Sequence, residues 1–284
     1  MRIETGLDTA LSPIGLGCAR IGSFNNPRSM AESRALVERA LEIGITALDT
    51  SNIYGQGDSE RTIGAVLRGK RDKAFVVTKT GRGFSAKMRA LRPLKPLLRP
   101  LLAARRKQGG AGGGNAVTAR REESMRFDWS PSSFAGSLDA SLRRLRTDYV
   151  DGFLLHSPPA SVAADPAAGA ALAALKQAGK VRHFGVSCDD AEGLSAALTM
   201  EGLTLLQLPW EVIIGMRDTD AAIIRERGHI VFAREVIRTQ PGVTAVDAVR
   251  NAVQHPLVSN ALVGTTSIAH LEALSAAAPA GHAA

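Results

Sequence analysis

A closed (β/α)8 TIM barrel with parallel strands is the fold class expected of this chain, and three observations lead there. Short apolar runs alternate with helical patterns eight times along the 284 residues. Outside one segment the links are short, as parallel strands joined by crossover helices require. The length suits a single barrel, which takes about 250 residues. A doubly wound sheet would show fewer strands and a phosphate loop after the first. Gly15-Leu16-Gly17 is instead followed by Cys18-Ala19-Arg20, without the third glycine of that fingerprint. One domain is expected over residues 1–284, with a basic Gly/Pro-rich inserted loop, read as flexible, at 82–127.

The elements follow in order. Residues 13–17 read as a first short strand and its turn. Leu36, Val37, Ala40 and Leu41 make one apolar face of a helix over 33–43, which Gly44 ends. A strand over 45–49, a short helix over 60–67 and a strand over 74–78 come next. Ser130 and Pro131 supply an N-cap and a proline at the first helical position, and that helix runs through Leu138, Leu142 and Leu145. Strands over 149–155, 181–186, 204–208, 229–233 and 260–263 then alternate with helices over 167–178, 191–200, 219–226, 243–253 and 269–277.

Composition narrows the function classes. Apolar residues are 45% of the chain and charged ones 22%, which suits a packed globule and excludes wholesale disorder. No apolar run reaches the roughly 18 residues of a membrane span, and residues 1–10 lack the pattern of a secretion signal. Cys18 and Cys188 are too few for a disulfide framework or a zinc cluster. They read as reduced thiols of a cytoplasmic protein, and no metal is expected.

The net charge of +8 is unevenly placed. Residues 82–126 hold 12 Lys or Arg against Glu122 and Glu123, leaving 23 basic and 25 acidic residues elsewhere. The body is therefore nearly neutral, and the basic excess belongs to one segment, open to a solvated loop, a lid or a docking arm. Pro93, Pro96 and Pro100 forbid a regular helix there. Leu91, Leu94 and Leu97 suit one edge of a polyproline-II strip, and residues 109–115 are a glycine-rich linker. Over 85–126 no aromatic ring interleaves the Lys and Arg, so nucleic acid is not an expected partner.

In such a barrel chemistry sits where strands end. The second strand leads to Asp49 and Tyr54, the third to Lys79, the fourth to His156. Singly, a strand-end Asp is most often a cap and a Lys a solvated group. Together they suit proton transfer. A phenol with a pKa of about 10 is a poor shuttle near neutrality, and a neighbouring ammonium lowers that value. Asp49 would hold Lys79 charged, and His156 could align a carbonyl.

These residues resemble the aldo-keto reductase superfamily. The resemblance rests on Asp49-Thr50 with Tyr54-Gly55 and Ser59-Glu60, and on Thr78-Lys79. A central block joins Leu138, Ser141-Leu142, Leu145, Thr147-Asp148-Tyr149-Val150-Asp151 and Leu155-His156. Lys180-Val181-Arg182 with Gly185-Val186-Ser187, and Gly264-Thr265-Thr266, complete it. It spans nearly the whole chain except the insertion. It implies a barrel that binds an extended nicotinamide cofactor, NADP(H) ahead of NAD(H), without a Rossmann domain. By resemblance Tyr54 is the proton donor, Asp49 and Lys79 tune it, and His156 orients the substrate.

The same resemblance supplies a cofactor set. Ser187 and Gln207 would hold the nicotinamide carboxamide, with Cys188 where an asparagine is usual. Trp210 would stack on the nicotinamide, plain core being the alternative. Arg234 would pair with the pyrophosphate. Gly264, Thr265, Thr266 and Ser267 before the last helix would line the phosphates, and Gly17 at the first strand end counts among the cofactor-binding residues. His270 stands where relatives carry a basic residue against the 2′-phosphate, and Ala273-Leu274 replace an acidic–amide pair used on adenine. The implied function is NAD(P)H-dependent reduction of an aldehyde or ketone, such as a sugar. Two alternatives stay open: a cofactor-binding regulatory module, and an NAD-dependent sugar or alcohol dehydrogenase, which the same proton shuttle would serve.

Overall fold

The computed structural model describes residues 11–84, except 24, 25 and 27, and residues 125–276. The polyproline strip, the glycine linker and any lid over 85–124 lie outside the described residues. The chain begins with β1 (Ile14–Gly17), α1 (Met30–Glu42), β2 (Ala47–Asp49), a 3-10 turn (Tyr54–Gly57) and α2 (Asp58–Val66). It continues with β3 (Phe75–Thr80), β4 (Arg82–Phe84), β5 (Met125–Phe127), α3 (Pro131–Leu145), β6 (Val150–His156), α4 (Ala160–Ala163) and α5 (Pro166–Gln177). Then come β7 (Val181–Ser187), α6 (Ala191–Ala197), β8 (Leu205–Pro209), α7 (Trp210–Ile214), α8 (Asp218–Glu226), β9 (Ile230–Arg234), α9 (Ala245–Gln254), β10 (Asn260–Val263) and α10 (Ile268–Ser275).

Eight parallel strands close in the order β1-β10-β9-β8-β7-β6-β3-β2, which is the expected (β/α)8 barrel. Local signals set the helices between them. Ser29 and Glu32 form a reciprocal capping box that starts α1 before the expected residue 33, and Gly44 leaves it at a φ of 82°. Asp165 and Thr244 cap α5 and α9 with their side chains. Ser130 stands at the N-cap of α3, but its side chain makes no capping bond.

The ends of the 82–127 insertion are regular structure rather than loop. β4 and β5 pair antiparallel, with Arg82 opposite Phe127 and Phe84 opposite Met125. No helix among the described residues is long and apolar enough to cross a membrane.

The period of two along each strand divides the apolar residues into two clusters. Phe75, Val77, Leu154, Leu205, Ile230, Phe232 and Leu262 fill the barrel. Val76, Phe153, Leu155, Val186, Leu206, Leu208, Val231 and Val263 face outward and pack with the helices. At about 1.5–3 kcal/mol for each large side chain buried, the outer layer and the filled interior both stabilise the closed ring. Gly185 marks its tightest point, since a Cβ there would stand 1.8 Å from the carbonyl oxygen of Leu205 on the paired strand. Gly185→Ala is expected to lower the unfolding free energy by about 1–3 kcal/mol, read as a shifted urea midpoint with unchanged slope.

Candidate active site

The same alternation selects what reaches the centre. On β2, Leu48 faces the helices and Asp49 the interior; on β3, Thr78 faces outward and Lys79 inward. On β6 the inward series is Gly152, Leu154 and His156, and on β8 it is Leu205 and Gln207. Asp49, Lys79, His156, Ser187 and Gln207 therefore meet at the C-terminal mouth, one layer above the apolar plug. Lys79 lies inside its strand rather than past it, and His156 is the last residue of its own.

Lys79 is fully buried and Asp49 is 5% exposed. The ammonium donates to Asp49 Oδ1 and, at 2.9 Å, to the carbonyl of Thr50. Gln207 Nε2 donates to the same Asp49 oxygen at 2.8 Å, and Ser187 Oγ donates to Gln207 Oε1 at 2.9 Å. One chain of bonds thus runs from β7 through β8 and β2 to β3. Burial pulls the Lys79 pKa down, but Asp49 and Tyr54 more than offset it, and the net shift is upward.

Tyr54 opens the 3-10 turn after β2. Its ring lies 5.1 Å from Lys79 Nζ and stands edge-on to His156, the centroids 5.9 Å apart. Burial raises the Tyr54 phenol above its ordinary pKa, and the Lys79 ammonium pulls it back only in part. The downward shift expected from Lys79 alone is therefore corrected in net direction, because desolvation of the phenolate outweighs one cation. Ser51, which the sequence reading passed over, faces His156 with Oγ 3.2 Å from Nδ1. Its place two residues after Asp49 was the available signal.

The rest of the expected set divides. Cys188 follows inward Ser187, so its side chain turns outward into the helix-facing layer, and burial pushes its thiol up. Trp210 lies past the end of β8, as the first residue of α7. The Trp210 ring is 6% exposed in the core and edge-on to His255 at 5.6 Å. Arg234 is at the mouth, but carboxylates hold it: it donates to Asp189, to Glu235 at 2.5 Å and to the carbonyl of Cys188 at 2.9 Å. Thr265 Oγ accepts from the Ser267 amide, and Ser267 Oγ from that of His270, so part of the β10–α10 turn is already satisfied internally. Gly17 ends β1 beside Asp49, and Thr266 lies in the β10–α10 turn.

Three residues other than glycine with positive φ also stand here: Gln56 at 60°, Ser157 at 53° and Glu235 at 62°. Each follows a site residue by one or two positions. Such conformations cost about 1–3 kcal/mol and persist where surroundings impose them. Ser157 Oγ bonds Asp189 at 2.7 Å, and the Glu235 carboxylate is held by Arg234 and Arg238. A cleft of about 500 Å³ opens alongside, between Phe127, Trp129, Ser157, Pro158 and Asp189.

The aldo/keto reductase family model matches residues 13–218, most of the chain, including Asp49, Tyr54, Lys79 and His156. This chain belongs to the aldo/keto reductase family. It is 32% identical over 190 residues to YcsN, an uncharacterized oxidoreductase of Bacillus subtilis, covering 66% of this chain and 52% of that one. The chain spans about half the length of the curated relatives it matches. Among solved structures, a putative aldo-keto reductase of Pseudomonas aeruginosa superposes with a TM-score of 0.68 at 24% identity, over 96% of this chain and 92% of that one. An aldo/keto reductase of Klebsiella pneumoniae, solved with NADP and acetate, gives 0.62 at 21% identity, over 94% and 86%. At these identities the structures speak for the fold.

Asp49→Asn leaves the Lys79 ammonium buried without a counter-charge. A loss of about 3–5 kcal/mol of stability is expected, read by chemical denaturation. Because the folded pKa of Lys79 is raised, its contribution is present below the ordinary value of about 10.4 and is lost only as pH climbs through the folded one. The wild-type contribution of the pair is therefore expected to stay constant through neutral pH, whereas in the variant burial acts on Lys79 without Asp49, so any pH dependence of the gap there comes from the variant.

Proposed function

We propose that this chain reduces an aldehyde or ketone on a small molecule with a reduced nicotinamide dinucleotide, Tyr54 giving the proton. The supporting observation is the Asp49–Lys79 pair buried beneath the Tyr54 ring, with His156 edge-on to that ring. The phenol stays protonated in the resting site because burial holds its proton, and the ammonium stabilises the phenolate left behind after transfer. Asp49 keeps that ammonium charged and in place. His156 presents a ring nitrogen to the substrate oxygen.

The residues present fit a dinucleotide. Arg234 Nε is buried with no partner, a donor suited to a phosphate oxygen. A Cβ on Gly264 would meet open space, so the β10 end admits close approach. Ser187 and Gln207 face inward with a hydroxyl and an amide respectively. Ser187 and Gln207 would hold the carboxamide, and Arg234, Gly17, Gly264, Thr265, Thr266 and Ser267 the phosphates, with His270 nearest a 2′-phosphate. A reduced nicotinamide supplies hydride to the carbonyl carbon. We propose NADP(H) ahead of NAD(H), in keeping with the complex of the Klebsiella relative. His270 rather than Arg or Lys keeps both in the test.

Tyr54→Phe is expected to cut turnover by about 10²–10⁴-fold with the denaturation midpoint retained, on a panel of aldehydes and ketones with NADPH and then NADH. Undiminished turnover would overturn the reading. Only Tyr54 and Tyr149 can titrate as phenols. The difference in phenolate absorbance between wild type and Tyr54→Phe is expected to show a midpoint above about 10, as burial dictates.

A further inference from the structure

The root of the insertion is fastened to the barrel on several sides. Gly81 follows the end of β3 at a φ of 90°, and its carbonyl accepts from the Asp128 amide at 2.9 Å. The Trp129 ring rests directly on it, since a Cβ on Gly81 would stand 1.7 Å from Trp129 Cζ3. Arg82 pairs with Phe127 across the β4–β5 ladder. Its guanidinium lies 5.8 Å from the centre of the Phe127 ring, donates to the Ser157 carbonyl at 3.4 Å and stands 3.6 Å from Asp189 Oδ2. Arg82 is thus held by its own hairpin and by the loops after β6 and β7. Its carbonyl oxygen accepts from Asn52 Nδ2 at 2.8 Å.

Asn52 belongs to the turn that carries Tyr54. The ladder between β2 and β3 reaches Thr50, whose amide donates to the Val77 carbonyl at 2.8 Å. Beyond it the turn bonds to itself: the Ile53 amide donates to Ser51 Oγ at 3.4 Å, and the Tyr54 amide to the Ser51 carbonyl at 3.0 Å. Bonds within a turn fix its shape, and a bond to a separately anchored element is needed to fix its place. We propose that Asn52 is a positioning residue, and that through it the Arg82 carbonyl, at the root of the insertion, sets where the Tyr54 ring stands over Lys79. The described ends of the insertion thereby become part of the active-site frame. Placement matters there, because shifting a reacting group by about 1 Å can cost on the order of a hundredfold in rate. The tie itself stands on the geometry; its effect on turnover rests on the proposed reductase reading. Lys79, Asp49, Arg234 and His156 are charged or titratable groups around the phenol.

The experiment cuts the tie and follows the phenol. Asn52→Ala removes the amide, and Asn52→Leu keeps its bulk without a donor. Each is compared, as the full chain without cofactor, with the same variant carrying Tyr54→Phe, so that the difference in phenolate absorbance belongs to Tyr54. With the turn released, water reaches the ring, and the midpoint is expected to move down from its raised wild-type place toward about 10 in both variants. The urea midpoint is expected to stay near that of wild type, because the bond lost is only partly buried. In kinetics kcat is expected to fall about tenfold or more with the KM for the dinucleotide unchanged, a split that a general loosening of the barrel would not give. Either variant decides alone if the other does not fold. A Tyr54 midpoint that stays at the wild-type value in a folded variant overturns the proposal, whatever the turnover. A lowered midpoint in a protein inert to every carbonyl supports it, and sinks the reductase reading instead.

Discussion

A fully buried ammonium must find a counter-charge, and in this barrel Lys79 has one carboxylate, Asp49, from the neighbouring strand. Much of the mouth is arranged around that requirement. Asp49 takes Lys79 and Gln207 on the same oxygen, and Gln207 takes Ser187, so four strands are tied by side chains at the level where their backbone ladders end. The pair also sets the electrostatics of Tyr54. Burial makes the phenol a reluctant acid, and the cation beneath it gives the phenolate a place to exist. An acid held protonated until its base form is stabilised on the spot is what a proton donor to a developing alkoxide needs.

Geometry enters through parity. In a parallel strand only every second residue faces the barrel, so function is confined to one register of each strand end. Asp49, Lys79, His156, Ser187 and Gln207 are in that register; Cys188 is one step out of it and belongs to the layer under the helices. A one-residue offset thus separates a group that can meet a ligand from one that stabilises the outer shell.

The rim shows a different economy. Arg234, Arg82, Asp189, Glu235 and Ser157 form a connected set of charges and hydroxyls across the ends of β6, β7 and β9. Two of its members, Ser157 and Glu235, sit in left-handed backbone. The arginines of these pairs are partly buried while Asp189 is exposed, so the set is anchored on one side and open to solvent on the other.

The amino-acid sequence alone determined the alternation of strands and helices and the eightfold ring, and it singled out Asp49, Tyr54, Lys79 and His156, which the barrel brings together. Each of these is a local pattern: apolar runs of fixed length, glycine and proline at element ends, and polar residues next to apolar ones. It placed all eight barrel strands to within about two residues, an error that cap chemistry such as the Ser29–Glu32 box explains. It could not decide which neighbours of those residues face inward, because the parity of a strand is set by its register against the next one. Cys188 was decided there, while Ser51 and Trp210 lie past strand ends, where the turn of the chain places them. Nor could it give the net shift at Tyr54. That is a sum over burial and over Asp49 and Lys79, groups from different strands, which only the closed barrel brings within a few ångströms of one another.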